Sequence, residues 1–189
     1  MQQRSSSRGF TIPEIIITLG IVAIVLSTAV PSLGSMIKNN RLVNQTNSIV
    51  AHIHVARAEA LKRSTRVIMC RTNSPNAITP ACNGSTQVWT DGYIVFADDG
   101  NYSNNWYDNG TDTLLVRGQP ATSGITRRTS SSWNRNLEFN PDGTTNESGA
   151  VAIMSLCDDR GTDNGRQVQV APNGIPKLFT GNISNCYPD

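Results

Sequence analysis

A run of 23 residues without a charged side chain, residues 15–37, constrains this chain more than any other feature. A helix of that length crosses the roughly 30 Å hydrocarbon core of a bilayer. Before this run, the only charged residues are Arg4, Arg8 and Glu14. Because basic flanks stay on the cytoplasmic side, we expect the remainder of the chain to lie outside the cytoplasm.

The uncharged run differs from an ordinary secretory signal in length, since the apolar region of such a signal has about 7–15 residues. It also continues into a helix-patterned segment without a small-x-small cleavage site. Glu14 borders the run. Placing a carboxylate inside or beside a membrane-spanning helix costs free energy, so its presence indicates a functional role. The alternative is that Glu14 lies at the level of the lipid headgroups, where the cost is small.

The segment from Arg8 to Glu14, RGFTIPE, followed by the apolar run with Pro31, resembles the class III signal of type IV pilins and pseudopilins. This resemblance implies that a prepilin peptidase cleaves between Gly9 and Phe10 and that Phe10 becomes N-methylated. Glu14 matches the glutamate of the family, five residues into the mature chain. Pro13 replaces the commoner leucine, and proline is tolerated in the first turn of a helix.

Cleavage would leave a terminal amine on Phe10 and a carboxylate on Glu14. In a fibre of packed apolar helices, a buried carboxylate needs a cation, which the amine of a neighbouring subunit would supply. We therefore expect Glu14 to set the assembly register. Removal of the leader lowers Lys plus Arg from 16 to 14, against 14 Asp plus Glu, so the mature side chains carry no net charge.

The resemblance implies that residues 1–9 are a leader that is cleaved. The remainder divides by composition into a transmembrane or fibre-core half of a helix, residues 10–37; an amphipathic half, residues 38–63; and a head, residues 64–189. Apolar residues recur at three- and four-residue steps through the amphipathic half. One helix over residues 11–63 would span roughly 80 Å. Pro31 and Gly34 are expected to kink or unwind it.

The head shows short apolar runs separated by Gly, Asn, Asp and Pro clusters, which predicts an antiparallel β structure. The predicted strands are residues 67–70, 87–96, 114–116, 137–139, 150–156, 167–170 and 177–179. Residues 72–86, 98–113 and 118–135 are expected to be irregular. The predicted fold class is α+β: a long N-terminal helix packed on a small antiparallel head, which is the pilin fold that the signal implies.

Three segments make the resemblance more specific within the pilin-like proteins. They are ARAEA at residues 56–60 of the helix, and WTDGYIVF at 89–96 and FNPDG at 139–143 of the head. With the signal, they are similar to the FimT/GspH group of minor pilins and H-type minor pseudopilins. The resemblance implies a minor type IV pilin, incorporated at or near the pilus tip to help prime assembly. Its partners would be the prepilin peptidase, the inner membrane, and other minor and major pilins. An H-type pseudopilin of a type II secretion system is an alternative.

Four cysteines, Cys70, Cys82, Cys157 and Cys186, lie in the exported head, where disulfides persist. Three connectivities are possible. We favour Cys70–Cys82, which closes a short loop, and Cys157–Cys186, which ties the C-terminal tail to a strand.

DNA capture is a second alternative, because some FimT-like pilins bind DNA through a C-terminal Gly-Arg-x-Arg motif. Here the corresponding stretch is GIPK at residues 174–177, without the arginines. Salt-sensitive phosphate binding would then depend on other cations, with Trp106, Tyr107 and Trp133 available for base stacking. The candidate cations are Arg127, Arg128, Arg135, Arg160, Arg166 and Lys177.

The sequence offers little material for catalysis or metal binding. His52 and His54 are two residues apart on a helix and do not share a face, so they cannot form an i, i+4 zinc pair. The oxygen-rich loop from Asp98 to Asp112 lacks EF-hand spacing, and solvation is its expected role. No enzyme activity, cofactor or metal is expected.

Overall fold

A computed structural model describes residues 9–83, 87–100, 105–131, 133, 135–146, 149–183 and 186. The chain forms two compact units, Met1–Asn39 and Asn40–Asp189. The long helix α1, Ile12–Arg63, begins in the first unit and ends in the second. It ends where Ser64 adopts a left-handed conformation, with φ at 52°, which is a common helix terminator. The predicted helix is confirmed to within one residue.

In the first unit, α1 continues through Pro31 and Gly34 without a break. The unwinding expected at these residues does not occur. A proline removes a single backbone donor from the helix, and apolar helices of this length accommodate that loss.

The second unit contains eight strands among its described residues, arranged in two antiparallel sheets. Sheet one has the order β3-β2-β1-β5, and sheet two has the order β4-β6-β7-β8. A short 3-10 helix, Thr162–Asn164, precedes β7. The strands are β1 Arg66–Arg71, β2 Tyr93–Asp98, β3 Thr113–Gly118, β4 Thr126–Thr129, β5 Asn136–Phe139, β6 Ala152–Cys157, β7 Arg166–Val170 and β8 Pro176–Thr180.

One apolar core joins α1 to both sheets of this unit. From the helix it takes residues at three-, four- and seven-residue steps, as the sequence pattern predicts. Alternate strand residues also lie in this core, such as Val67 and Met69 of β1 and Val168 and Val170 of β7. The helix contributes Leu42, Ile49, Ile53, Ala56 and Ala60, all of which are buried. The α+β architecture predicted from the sequence is therefore confirmed.

The far face of sheet one carries a second apolar cluster. Ile68 and Cys70 of β1 meet Ile94 and Phe96 of β2 there, and Cys82 packs beside them. Tyr107 packs edge-on against Phe96, with ring centroids 5.4 Å apart. Sheet one is consequently buried on both faces. This explains why apolar and polar residues do not alternate along its two central strands.

Strand β4 corrects one expectation from the sequence. Residues 118–135 were expected to be irregular, but Thr126–Thr129 pair with β6 in register, Arg127 with Leu156 and Arg128 with Ser155. The segment has the sequence TRRT and lacks the apolar residues that mark a strand. It forms because a neighbouring strand supplies its hydrogen bonds, so local pattern alone does not reveal it.

Candidate functional site

The helix start carries the residues that the sequence singles out for processing and assembly. Gly9 and Phe10 precede the first turn in non-helical backbone, and the Phe10 side chain is 80% exposed. The Thr11 backbone N–H donates to Glu14 Oε2 at 3.5 Å, and Ile15 N–H donates to the Thr11 carbonyl at 3.2 Å. A residue at the N-cap with a glutamate three positions later is the pattern of a capping box.

The remainder of the first unit presents apolar side chains to its surroundings. Isoleucine, leucine and valine side chains along residues 12–37 are half to three-quarters exposed. The segment is long and apolar enough to cross a membrane. No other part of the described structure leaves so much contiguous apolar surface uncovered, and such a surface marks contact with a membrane or another protein.

Hydroxyl groups in this apolar segment bond back to their own helix. Thr18 donates to the carbonyl of Ile15 at 2.9 Å, and Ser27 donates to that of Ile24 at 2.7 Å. Thr28 and Ser35 make the same bonds one turn back, at 3.1 Å and 2.8 Å. Each hydroxyl is thereby satisfied without water, as an apolar environment requires. Glu14 is the one ionisable side chain of residues 9–37 and makes no ion pair with a described residue.

Two disulfides close the head, in the connectivity favoured from the sequence. Cys70 of β1 bonds to Cys82, with Cα atoms 5.6 Å apart, and Cys157 of β6 bonds to Cys186, with Cα atoms 5.5 Å apart. The second bond places Ile183 against both of its cysteines. Cys157 follows the core residue Leu156 in β6, so the bond holds Ile183 and Cys186 on the outer face of sheet two, the face directed away from the shared core.

Arg127 does not lie on the surface where a phosphate-binding residue is needed. Its side chain is 3% exposed and reaches into the layer between β4 and α1. There it donates to the Gln119 carbonyl at 3.0 Å and to Gln45 Oε1, and its guanidinium lies over the Tyr93 ring. Burial lowers the pKa of Arg127 from its usual range. The residue therefore acts in packing, and no sequence pattern pairs it with Gln45, 82 positions away.

The other candidate cations do not converge. Register places Arg128 and Lys177 on the outer face of sheet two, where the intervening residues are Ser155, Gln167 and Gln169. Arg166 pairs with Leu156 on the opposite, core-facing side.

Arg160 and Arg135 lie apart from these residues. Arg160 Nη2 contacts Asp158 Oδ2 at 2.6 Å, and this carboxylate raises the pKa of Arg160. Arg135 is exposed beside Trp106, where both residues line a small cavity of about 220 Å³ next to the Cys70–Cys82 bond. Four of the six cations thus lie in strands of sheet two, on both of its sides, and Arg135 and Arg160 lie outside the strands.

His52 is half-buried and lies beside Tyr93, the residue whose ring Arg127 covers. Its Nδ1 lies 2.7 Å from the Tyr93 hydroxyl. Burial lowers the pKa of His52, and the nearby charge of Arg127 lowers it further. Burial also raises the pKa of Tyr93 to about 12. These shifts keep the imidazole and the phenol neutral, so the pair forms a structural contact between α1 and β2.

The acidic loop residues mostly serve local contacts. Asp98 accepts hydrogen bonds from Arg66, which also lies 3.6 Å from Glu138 Oε2. Asp99 accepts from the Thr113 hydroxyl at 2.6 Å. Among the residues that the structure describes, no three His, Cys, Asp or Glu side chains come together to hold a metal ion.

No curated protein matches the chain. Its fold is similar to that of the Pseudomonas aeruginosa type IV minor pilin FimU in two crystal forms. In the first, identity is 16%, the TM-score is 0.54, and the match covers 79% of this chain and 95% of FimU. In the second, identity is 17%, the TM-score is 0.50, and the coverage is 77% and 100%.

A family model, described as type II transport protein GspH, matches residues 45–174. The match begins in the head portion of α1 and ends in the turn before β8. It therefore covers well over half of the chain and nearly all of the head, so this chain belongs to the GspH family of pilin-like proteins.

Proposed function

We propose that this protein is a minor type IV pilin, processed between Gly9 and Phe10 and incorporated at or near the tip of the fibre. The prepilin peptidase removes the leader and Phe10 is N-methylated. Before assembly, the apolar half of α1 anchors the chain in the inner membrane, with the N-terminus cytoplasmic and the head periplasmic. In the fibre, the same segment packs among the helices of other minor and major pilins and helps to prime assembly.

The observation that carries this proposal is the exposed apolar segment with a single carboxylate in its first turn. Every described side chain of residues 10–37 is exposed, and the hydroxyl groups of Thr18, Ser27 and Thr28 are satisfied within the helix. The Glu14 carboxylate, by contrast, accepts a single long hydrogen bond, from the Thr11 N–H. In an apolar fibre core this carboxylate requires a cation, and the Phe10 amine of a neighbouring subunit supplies it.

The test is replacement of Glu14 in cells that assemble the fibre. Glu14→Gln keeps the size and the capping contact of the side chain but removes the charge, so we expect processing to persist and incorporation into sheared fibres to fall about tenfold. Thr18→Val is the matched control, because it removes a polar group from the same segment without touching a charge. Full incorporation of Glu14→Gln would contradict the register role.

Processing is tested by mass spectrometry of the membrane-bound chain. The expected mature chain begins with a methylated Phe10. A chain that retains residues 1–9, or that is cut elsewhere, would contradict the assignment of the cleavage site.

A second candidate function is that of an H-type minor pseudopilin in a type II secretion system, and the family match favours it. The two functions share the signal, the helix and the head, but they differ in which process fails when the chain is lost. Deletion of the gene should reduce surface pili and twitching motility if the chain is a pilin. It should instead leave pili intact and retain secreted enzymes in the periplasm if the chain is a pseudopilin.

A further inference from the structure

Strand β8 forms one edge of sheet two, and the hydrogen-bond register shows which of its backbone groups face outward. The Gly181 N–H donates to the Gly165 carbonyl at 3.1 Å, and the Ala171 N–H donates to the Ile175 carbonyl at 3.3 Å. Antiparallel pairs alternate between bonded and non-bonded positions. Lys177 and Phe179 therefore bond inward to β7, whereas the N–H and C=O groups of Leu178 and Thr180 point away from the sheet.

These outward groups have no partner among the described residues. Two other sheet edges in the head are covered. Residues 87–89 pair along β4, where Trp89 N–H donates to the Arg127 carbonyl, and residues 144–146 pair along β5, where Asn146 N–H donates to the Glu138 carbonyl. An uncovered edge is a template for another strand, and native proteins normally protect it.

The remaining edge, β3, is protected in a different way. A register irregularity interrupts its pairing with β2 between Val95 and Phe96, and its residues are half-buried up to Gly118. β8 pairs with β7 in unbroken register, and four of its five residues are exposed. The edge at β8 is thus more accessible than the edge at β3.

The side chains at this edge are apolar on both faces. Leu178 is 46% exposed and Phe179 is 44% exposed, and Ile175 just before the strand is 44% exposed. Leu178 pairs with Val168 and lies on the core-facing side, while Phe179 pairs with Gln167 on the outer face. An added strand would cover apolar surface on each side while it satisfied the unpaired backbone groups.

Charge at the edge defines the chemistry of the partner. Lys177 is exposed and has no ion-pair partner among the described residues. The strand residues that share the outer face of sheet two with Lys177 include Arg128 but no Asp or Glu. An acidic residue opposite Lys177 is therefore favourable, whereas a basic one is repelled. Pro176 removes a backbone donor at the start of the strand, which limits indiscriminate pairing.

We propose that β8 is the docking edge for an extended segment in the head of a neighbouring pilin, with apolar residues flanking a carboxylate that faces Lys177. This inference rests on the proposed role as a fibre subunit and names the contact through which the head joins its neighbour. The added strand bonds to the Leu178 and Thr180 backbone and extends sheet two beyond its fourth strand.

The experiment places a photocrosslinking phenylalanine at Phe179 of the full-length chain in fibre-assembling cells, with Ile78, 95% exposed in a loop, as the control position. We expect the probe at Phe179 to cross-link to an extended segment in another pilin's head. Thr180→Pro removes an outward N–H, so the cross-linked fraction should fall about tenfold, whereas Thr180→Ala keeps the N–H and should retain it within about twofold.

Charge reversal gives a second arm that leaves the backbone intact. Lys177→Glu should reduce the cross-link and fibre incorporation, whereas Arg135→Glu, the same reversal at an exposed site just before β5, should not. The proposal is overturned by an unchanged cross-link in both Thr180→Pro and Lys177→Glu, by no cross-link at Phe179, or by a cross-link to a second copy of this chain. Absence of the wild-type chain from fibres would instead contradict the proposed function.

Discussion

His52 of α1 and Tyr93 of β2 meet through a contact of 2.7 Å between Nδ1 and the phenol oxygen, and their rings pack edge to face. The contact fastens the helix to sheet one beside the guanidinium of Arg127. Because the pKa of Tyr93 is raised and that of His52 is lowered, both groups are neutral in this contact. The polar layer is thus arranged for an uncharged imidazole.

This contact predicts a pH dependence of stability. The folded-state pKa of His52 lies below its unfolded value of 6.5. The unfolded chain consequently takes up more protons as the pH falls below 6.5, so the free energy of unfolding falls toward acid and is retained above that value. His52→Asn keeps an acceptor near the Nδ1 position without a titrating ring, and we expect it to lose less thermal stability than the wild type between about pH 7 and about pH 5.5.

The measurement is the melting temperature of both chains across that interval. His54→Asn is the control, because His54 is exposed on the same helix. A pH dependence that is the same in the wild type and in His52→Asn would show that the His52 ring does not contribute.

Arg127 gives a prediction about stability. Arg127→Ala leaves the Gln45 side chain and the Gln119 carbonyl without their donor and opens a space above the Tyr93 ring. We expect a loss of about 2–4 kcal/mol in the free energy of unfolding. Arg135→Ala, at an exposed site, should change it by less than about 0.5 kcal/mol. Urea denaturation measures both values, and equal effects would contradict the packing role of Arg127.

Arg127 also illustrates which part of the fold cannot be predicted from the sequence. The long helix, its amphipathic half and the approximate positions of seven strands follow from the spacing of apolar residues, although residues 87–92 of the predicted strand 87–96 lie before β2. β4 carries two arginines in four residues and has no such signal. Arg127 points inward because Gln45 and Tyr93, distant in sequence, supply its partners, and this arrangement depends on tertiary packing. The uncovered edge at β8 is likewise a property of strand order, which local pattern does not encode.

Gly174 provides a test of the turn before β8. Its φ is +75°, and a Cβ there would lie 2.2 Å from the Gly143 carbonyl oxygen and 3.0 Å from Arg57 Cδ. Arg57 Nε donates to that same carbonyl at 3.1 Å, so the neighbours are fixed. We expect Gly174→Ala to lower the free energy of unfolding by about 3 kcal/mol or more, because left-handed strain of about 1–2 kcal/mol adds to the clash.

Gly124→Ala is the control for the backbone conformation alone. Gly124 has φ at +81°, but its added Cβ would meet nothing within 4 Å. Gly124→Ala should lower the free energy of unfolding by about 1–2 kcal/mol, which is the cost of a left-handed conformation for alanine. If the two variants unfolded at the same urea concentration, the close approach of Gly174 to Gly143 would have no energetic consequence.

The two disulfides are expected to contribute unequally to stability. Their cysteines are 12 and 29 positions apart. In the loop-entropy description, each bond stabilises by about 3 kcal/mol, and the longer loop adds roughly 0.8 kcal/mol. Paired alanine replacements at Cys157 and Cys186 should therefore lower the free energy of unfolding more than those at Cys70 and Cys82. Denaturation of the two variants under oxidising conditions checks the order, and the reverse order would point to packing around Cys70 as the larger contribution.

DNA binding would depend on where the candidate cations lie. A salt-sensitive phosphate site needs several cations on one accessible surface. Arg127 is buried, Arg160 is paired with Asp158, and Arg166 lies on the side of sheet two opposite Arg128 and Lys177. We therefore expect the purified full-length chain in detergent to show no saturable binding to short duplex DNA, even at low salt.

The titration is repeated at moderate salt and with Arg128→Ala combined with Lys177→Ala, the two cations that share a face. Saturable binding that weakens steeply with salt and is lost in that double variant would contradict the prediction and assign the outer face of sheet two to DNA. Binding that is equal in the double variant and the wild type would exclude that face and direct the search to Arg135 beside Trp106.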